Sequence, residues 1–498
     1  MHDVPDDHEH DDEAEHPLWK LDTITLTSVG IDVGTATSQI IFSQLVLRRL
    51  GRELSSRFVV TERDTLYLSP VHLTPYIAGR ERIDDLALGQ FVDSAYREAG
   101  LSPRDVDTGA IILTGEAIRR DNARAIADLF AAQRGTFVCA TAGHNFEAQL
   151  AAHGSGAVAH SAEKQCRVLN IDIGGGTTKL AVAERGRVVS TAAFHIGGRL
   201  LATDDAGRIT VLEPGGRLLA QQAGFQWQVG NSITHAEIER LATHMAETVV
   251  SLTRDQEPRA ELAKLWLTAP PSGPKQYDAV IFSGGVSEYV YGQETRSFGD
   301  LGAPLGRALR DKIDSGAVPW ALQPARECIR ATVMGAAQHT VQVSGNTIYR
   351  TDENLLPRKN LQVLRPPVSL ASDIDSAAVA QAIQAHFRAF DLVEGQAEVA
   401  LVFRWEGAPT ALRIAAFCQG LIDGVPITRK NRRPIYLIFD HDLAGLVGTI
   451  LKDDFVIDNP LLSLDGVTLH DFDFIDLGKI LEPSGTVPVT IKSLVFQF

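Results

Sequence analysis

Cysteine is scarce and scattered. Cys139, Cys166, Cys328 and Cys418 are the four in 498 residues, and none forms a CxxC pair. That argues against a disulfide framework and fits reduced thiols in small apolar sites better than a zinc site. No run of 18 or more apolar residues occurs, so no segment has the length of a membrane-crossing helix. The N-terminus lacks the apolar core and basic start of a secretory signal, which makes a soluble cytoplasmic protein the default expectation. Basic residues are outnumbered, and a net charge of −15 argues against nonspecific attraction to nucleic acid or to an anionic membrane, both polyanions. Much of that deficit is local. Residues 1–16, MHDVPDDHEHDDEAEH, hold five Asp, three Glu and no Lys or Arg, which leaves −7 for the rest. This composition buries too little surface to order itself, so residues 1–22 are expected to be a disordered, solvated acidic tail. Its His2, His8, His10 and His16 could alternatively chelate a divalent metal.

The remainder is ordinary globular chain, 44% hydrophobic and 22% charged, and long enough for two or three domains. From Thr23 onward, short apolar runs broken by glycine predict strands in TITLTSVGIDVG, TSQIIFSQLVL and FVVTERDTLYLSP. ERIDDLALGQFVDSAYREAG predicts a helix ending at Gly100; GAIILTG predicts a strand and residues 116–133 a helix. RVLNIDIGGGTTKLAVAERGRVVS reads as strand, glycine turn, strand, Arg-Gly hairpin, strand. The helix HAEIERLATHMAETVVSLTR follows, with Ile238, Leu241, Met245 and Val249 on one face. A loop, TAPPSGPKQ, leads to the strand AVIFSGG. LLPRKNLQVLRPPVSL, punctuated by prolines, predicts a linker. The expected segments are 23–165, 166–345 and 346–498, the last an additional α/β domain.

GIDVGTATSQIIF (30–42) aligns without a gap with NIDIGGGTTKLAV (170–182), 140 residues later. Each is a strand, an aspartate, a glycine turn and a second strand, and each opens one half of the chain, which implies two copies of one fold. Glycine turns after strands cradle phosphates because the missing side chains let backbone N–H groups converge on the anion. The Walker loop is excluded, for no lysine stands at its spacing. The dinucleotide loop is excluded because Lys179 occupies the third glycine position and a strand, not a helix, follows. What remains is D-x-G-[GT]-x-T on a β-hairpin, twice. Such tips can hold phosphate oxygens on their amides while the carboxylate binds Mg²⁺ directly or through water, and two tips face to face would clamp a triphosphate. A purely structural turn is the competing reading.

AVIFSGGVSEYV (279–290) is a strand opening onto Gly284-Gly285 with Glu288 beyond, which would admit a base or ribose and accept sugar hydroxyls; a plain strand-to-helix turn explains it equally. Two stretches rich in small residues, FEAQLAAHGSGAVA (146–159) and IRATVMGAAQHT (329–340), predict helices that cross closely, as a pivot between halves or as simple tight packing.

Together, IDVGTATS, IDIGGGTT, SGGVSE and the helices around Gly154 and Gly335 resemble the phosphate loops, adenosine motif and connecting helices of the superfamily of actin, sugar kinases and heat-shock chaperone ATPases. The resemblance implies an α/β fold of two ribonuclease H-like, actin-like ATPase halves around a nucleotide cleft. Within it, LTSVGIDVGTATSQIIFSQL, GAIILTGEA with Asn122-Ala123, RVLNIDIGGGTTKLAV, HIGGRLLATDDAGRI, FSGGVSE, RATVMGAAQHTVQVSGNTI and VPVTIKSLVF resemble the ethanolamine ammonia-lyase reactivating factors, the EutA family, over nearly the whole chain. That family implies a chaperone-like factor dependent on ATP and Mg²⁺. It releases damaged cobalamin from inactivated ethanolamine ammonia-lyase so that adenosylcobalamin can rebind. The resemblance implies Asp32 and Asp172 for Mg²⁺ or for positioning the attacking water. It implies Gly34, Thr35, Thr37, Gly174, Gly175, Gly176, Thr177 and Thr178 around the phosphates, with Gly284, Gly285 and Glu288 at the nucleoside. A homo-oligomer and association with a bacterial microcompartment are both compatible with it. Two departures limit the carry-over. Ala36 stands where chaperones have a second threonine, and no lysine occurs between Lys20 and Lys164, so their catalytic lysine has no counterpart. Slow, switching hydrolysis is therefore expected rather than rapid turnover.

Two other classes compete. A small-molecule kinase on the same scaffold needs a carboxylate base, for which Asp204 or Asp205 in LLATDDAGR is the candidate. An actin-like structural ATPase is the other. In the C-terminal part, TRKNRRP (428–434) could dock an acidic partner or be a solvated loop. His441 stands in Asp440-His441-Asp442-Leu443-Ala444-Gly445, which departs from the D-x-H-x-x-G pattern of cobalamin ligation.

Overall fold

A computed structural model describes residues 23–34, 37–49, 58–77, 82–114, 137–255, 260–326, 328, 338–344, 348–480 and 486–494. The acidic tail, Thr35, Ala36, the expected helix 116–133 with Asn122-Ala123, and residues 329–337 with Gly335 lie outside them. Among the described residues no helix is long and apolar enough to cross a membrane.

The first sheet is built from β1 (Thr23–Val33), β2 (Thr37–Arg49), β3 (Phe58–Leu68), the short β4 (His72–Leu73), β5 (Thr108–Thr114) and β6 (Phe137–Ala142). Its order is β3-β2-β1-β5-β6, with β4 beside β2. β1, β2 and β3 form an antiparallel meander, and β5 and β6 run parallel to β1 on its other side. Helix α1 (Asp85–Glu98) returns between the two parts; Asp84 caps it by accepting the Ala87 N–H, and Leu88, Val92 and Ala95 bury its apolar face. Helices α2 (His144–Gly154) and α3 (Ala157–Lys164) then lead to the second half.

The second sheet repeats the first. It comprises β7 (Arg167–Ile173), β8 (Thr178–Glu184), β9 (Arg187–Phe194), β12 (Ala279–Ser283) and β13 (Ala321–Leu322), in the order β9-β8-β7-β12-β13. Again a three-stranded meander is flanked by parallel strands. Arg185 and Gly186, both at positive φ, make the two-residue turn joining β8 to β9. A small pair, β10 (Leu201–Thr203) with β11 (Ile209–Leu212), precedes helices α4 (Pro214–Gln222) and α5 (His235–Arg254). Thr234 and Glu237 close a capping box at the start of α5, and Leu241, Met245 and Val249 fall on its buried face while Ile238 is half-buried. Helices α6 (Ser287–Val290) and α7 (Gly302–Asp314) complete this half.

The third sheet has eight strands in the order β14-β21-β20-β16-β17-β18-β19-β15. These are β14 (Gln338–Val343), β15 (Tyr349–Arg350), β16 (Arg358–Leu364), β17 (Val399–Phe403), β18 (Ile435–Phe439), β19 (Leu461–Leu464), β20 (Asp473–Leu477) and β21 (Pro488–Ser493). β16 to β19 are parallel and joined by α8 (Ser376–Ala389), α9 (Ala411–Gly424) with the short α10 (Pro426–Lys430), and α11 (Ala444–Asp453).

Two expectations are corrected here. The stretch read as a linker contains β16, whose Leu361, Val363 and Leu364 are buried between a parallel and an antiparallel neighbour. Pro357 and Pro366 bound this strand instead of dissolving it. The third sheet also begins before residue 346. Residues 338–343, of which 338–340 were expected to end a helix, form an edge strand antiparallel to Pro488–Ser493; the β-branched residues of HTVQV fit a pleat better than a helix.

Candidate functional site

The two glycine hairpins match in register and in the bond that closes them. Val33 pairs with Ser38 and Ile173 with Thr178, so each leaves a four-residue turn. Each turn is closed by the same backbone bond, from the Gly34 N–H to the Thr37 carbonyl (2.9 Å) and from the Gly174 N–H to the Thr177 carbonyl (3.1 Å). A neighbouring segment draws the turn carbonyls back in both. The Thr74 hydroxyl donates to the Gly34 carbonyl at 2.7 Å. In the second turn the Gly198 and Arg199 N–H groups take the carbonyls of Gly174 and Gly175. That approach needs glycine at 197, where a β-carbon would stand 2.4 Å from the Gly175 carbonyl oxygen.

With the Gly174, Gly175 and Thr177 carbonyls committed, the second turn presents its amides. The N–H groups of Gly175 and Gly176 meet no acceptor among the described residues, and both glycines are partly open. This is the polarity of an anion cradle. The hydroxyls behind the turns are engaged internally: Thr178 donates to the Ile196 carbonyl (2.8 Å), and Ser38, its counterpart, bonds Thr74 (3.0 Å). The Thr178 side chain is thus spent on holding the 194–198 segment. Thr177 is buried and Thr37 half-buried.

Cross-strand register puts Asp32 opposite Gln39 and Asp172 opposite Lys179, each pair on one face of its hairpin. Asp32, Asp172 and Lys179 are all buried, and the fields of both aspartates reach the Lys179 ammonium. Lys179 Nζ donates to Glu147 Oε1 of α2 at 2.5 Å. It also lies close under the second turn, since a β-carbon at Gly174 would stand 3.8 Å from it. Burial disfavours the ammonium, but Glu147, then Asp172 and Asp32, outweigh that and its pKa is raised. Burial raises the Asp172 carboxyl, against Lys179 and a 2.8 Å hydrogen bond from Ser283 Oγ. A buried relay continues behind it: Asn170 Nδ2 donates to Ser283 Oγ (3.1 Å), and Ser155 Oγ, at the end of α2, donates to Asn170 Oδ1 (2.7 Å).

Lys179 and Glu147 were not among the site residues expected from sequence. The signal was present, because the gapless alignment and a hairpin register together put Lys179 beside Asp172. In the first half the equivalent Gln39 is 3% exposed, and its Oε1 is buried without a hydrogen-bond partner among the described residues. An orphaned acceptor beside Asp32 and open amides above Asp172 suit a ligand with phosphate oxygens and metal-bound water. Among the described residues no cluster of three or more His, Cys, Asp or Glu forms a metal cage.

Gly284, at φ +80°, lies against β7: its β-carbon would meet the Ile173 carbonyl oxygen at 2.4 Å. Close packing of the strand-to-helix turn accounts for this glycine, and Gly285 and Glu288 follow beside the same strand end, Glu288 half-buried in α6. Of the two candidate kinase bases, Asp205 is exposed on a turn and Asp204 is engaged within that turn. Asp204 accepts N–H bonds from Arg208, Ala206 and the Arg208 guanidinium; the Arg208 amide foremost holds its carboxyl below the usual range. His441 is exposed, with Nδ1 2.8 Å from Asp440 Oδ1. In the basic cluster, Arg432 pairs with Asp458 and Arg433 with Glu398.

A family model described as "Ethanolamine utilisation protein EutA" matches residues 24–497. The ethanolamine ammonia-lyase reactivase EutA of Salmonella typhimurium is 32% identical over 483 residues, covering 96% of this chain and 100% of the relative. Its Escherichia coli counterpart is 32% identical over 481 residues, with the same coverage. A solved exopolyphosphatase-like protein is 13% identical with a TM-score of 0.36, covering 62% of this chain and 97% of that one.

Proposed function

Since the chain belongs to the EutA family of ethanolamine utilisation proteins, we propose that it is an ATP-dependent reactivase of ethanolamine ammonia-lyase. It would release damaged cobalamin from the inactivated lyase so that adenosylcobalamin can rebind. The observation that carries the nucleotide part is the matched pair of turns, with the Gly175 and Gly176 amides open and buried Asp32 and Asp172 beneath. In this reading the N–H groups of Gly175, Gly176 and Thr177, with Thr35 of the first turn, hold phosphate oxygens, while Gly34 and Gly174 close the two turns on the Thr37 and Thr177 carbonyls and Thr178 holds the 194–198 segment behind. Gly284, Gly285 and Glu288 border the nucleoside. Asp32 and Asp172 would hold Mg²⁺ through its water shell, the few-carboxylate donor set that this ion accepts. When bound, Mg²⁺ would neutralise the phosphates and polarise the terminal one. Asp172, fixed by Ser283 and facing Lys179, is the group best held to orient water.

Reactivation then works as a population shift: nucleotide favours one arrangement of the halves, and that arrangement binds the lyase differently. The two homologous sheets, each bearing one turn, and the helix between them support such an opening and closing. The site of action that this reading implies is the cytoplasm, alongside the lyase, including any microcompartment that encloses it. The test is recovery of inactivated lyase with this protein, ATP, Mg²⁺ and fresh adenosylcobalamin. Activity should return only with ATP, and recovery no better than a minus-ATP control would overturn the reading. Asp172→Asn should lower the recovery rate by about a hundredfold or more while the protein remains folded.

A further inference from the structure

Helix α2 touches two places that are far apart in the sequence. Towards the hairpins, Glu147 holds Lys179, and Ser155 reaches Asp172 through Asn170 and Ser283. Towards the third sheet, Asn145 Nδ2 and the Phe146 N–H donate to the Asp391 carboxylate at 2.9 and 2.8 Å, and Gln149 donates to the Ala389 carbonyl at 2.7 Å. Phe146 packs between Phe390 and Phe472, each ring centroid 5.4 Å away, and His153 meets Phe472 edge-on. Neighbouring residues, Phe146 and Glu147, thus face the C-terminal domain and the phosphate turn. On its remaining face, Ala148 and Ala152 pack closely against the second sheet's Ala181 and Ala183, so the helix has little room to move alone.

We propose that Lys179 and Glu147 are a positioning pair that ties the phosphate turn to α2, and that through α2 nucleotide occupancy is passed to the C-terminal domain. This rests on the nucleotide reading above. Its physical basis is charge. The Lys179–Glu147 pair is self-compensating, whereas Asp32 and Asp172 also draw on the same ammonium. An anion and its cation arriving at the turn change what Lys179 is attracted to, and Glu147 is the partner that yields or tightens. A displacement of Glu147 is carried by a helix whose next residue is anchored to Asp391, Phe390 and Phe472. In the first hairpin Gln39 stands at the equivalent position, so only the second turn has an ammonium beneath it.

The test uses the full chain and the non-hydrolysable analogue AMPPNP with Mg²⁺. Amide hydrogen exchange is followed at residues 144–154, 386–392 and 470–474, and affinity is measured separately by calorimetry. Removing one charge strands the other, so the variant is the double Glu147→Gln/Lys179→Met, with Lys179→Arg as the conservative control. In the parent protein AMPPNP should change exchange in all three segments. Saturated with AMPPNP at its own calorimetric affinity, the double variant should lose the change at 386–392 and 470–474; Lys179→Arg should keep it. A merely structural pair would alter stability without separating binding from the distant response. Persistence of the distant response in the double variant overturns the proposal and spares the nucleotide reading, as does parent protein that binds AMPPNP without any response at 386–392 and 470–474. Failure of the parent protein to bind AMPPNP overturns both.

Discussion

In the last turn of α2, His153 is neutral for a physical reason with a measurable sign. Burial pushes its imidazole from an ordinary 6.5 down to about 4, against the pull of Asp471, which is itself engaged by His386 at 2.7 Å and by the Arg365 N–H. Two residues on, burial raises the Asp473 carboxyl from 3.8 to about 7, against hydrogen bonds from Ser493 and the His470 N–H. The two groups have opposite linkage. Below about pH 6.5 the unfolded chain protonates His153 before the folded one, so stability drains away as the pH falls towards 4. Asp473 is protonated first in the folded chain, so its contribution is greatest in acid and is lost as the pH rises through about 7. At about 1.4 kcal/mol for each pKa unit, each group shifts stability by about 2 kcal/mol between pH 7 and 5. They largely cancel in the parent protein. His153→Leu should therefore become relatively more stable than the parent as pH falls over that range, and Asp473→Asn relatively less. Urea midpoints at pH 7 and 5 check this, and parallel slopes for all three proteins would contradict it.

Each glycine hairpin needs a second segment to shape it, Thr74 for the first turn and residues 197–199 for the second. Gly197→Ala tests that dependence. Its methyl would collide with Gly175 and Gly176 backbone atoms at 2.4–2.7 Å, forcing the turn aside while the sheet behind it stays hydrogen-bonded. AMPPNP affinity should fall about tenfold or more with the far-UV spectrum retained, and calorimetry reads it; unchanged affinity would remove the turn from the binding site. The hairpins were legible in the sequence because a period-two apolar pattern, a glycine turn and a positive-φ Arg-Gly pair are all local. Their pairing as equivalents was legible because the copies align without a gap. β16 was misread because prolines on both sides of RKNLQVL look the same whether they frame a linker or a strand; burial between β17 and β20 decides, and that is set by distant segments. β14 was misread because Ala and Gly before it suggest a helix, while its partner, Pro488–Ser493, lies at the other end of the chain. Glu147 escaped for a related reason. A lone Glu in an alanine-rich helix looks solvated until the fold turns it towards Lys179.

The molecule is held together across its parts by shared core rather than by its surface. One apolar cluster takes Ile112 from the first sheet, Phe146 and Leu150 from α2, and Phe387, Phe390, Leu401, Phe417 and Phe472 from the C-terminal domain. A change in one part therefore has a packed route to the others. The same sharing predicts how the chain unfolds. With Phe146 joining the parts, the C-terminal domain and the first two sheets with their helices should lose structure in one calorimetric transition. Phe146→Ala removes the ring seated between Phe390 and Phe472, at a cost of roughly 3–5 kcal/mol, and that cost falls on the junction rather than on any one sheet. The single transition should then split into two, the third sheet melting apart from the first two. Phe417→Ala, inside the C-terminal core where Phe403 and Trp405 pack edge-on around it, should lower the transition comparably while leaving the junction intact. If both variants still melt in one step, the parts are coupled by more than α2; if the parent already melts in two, α2 does not couple them thermodynamically at all.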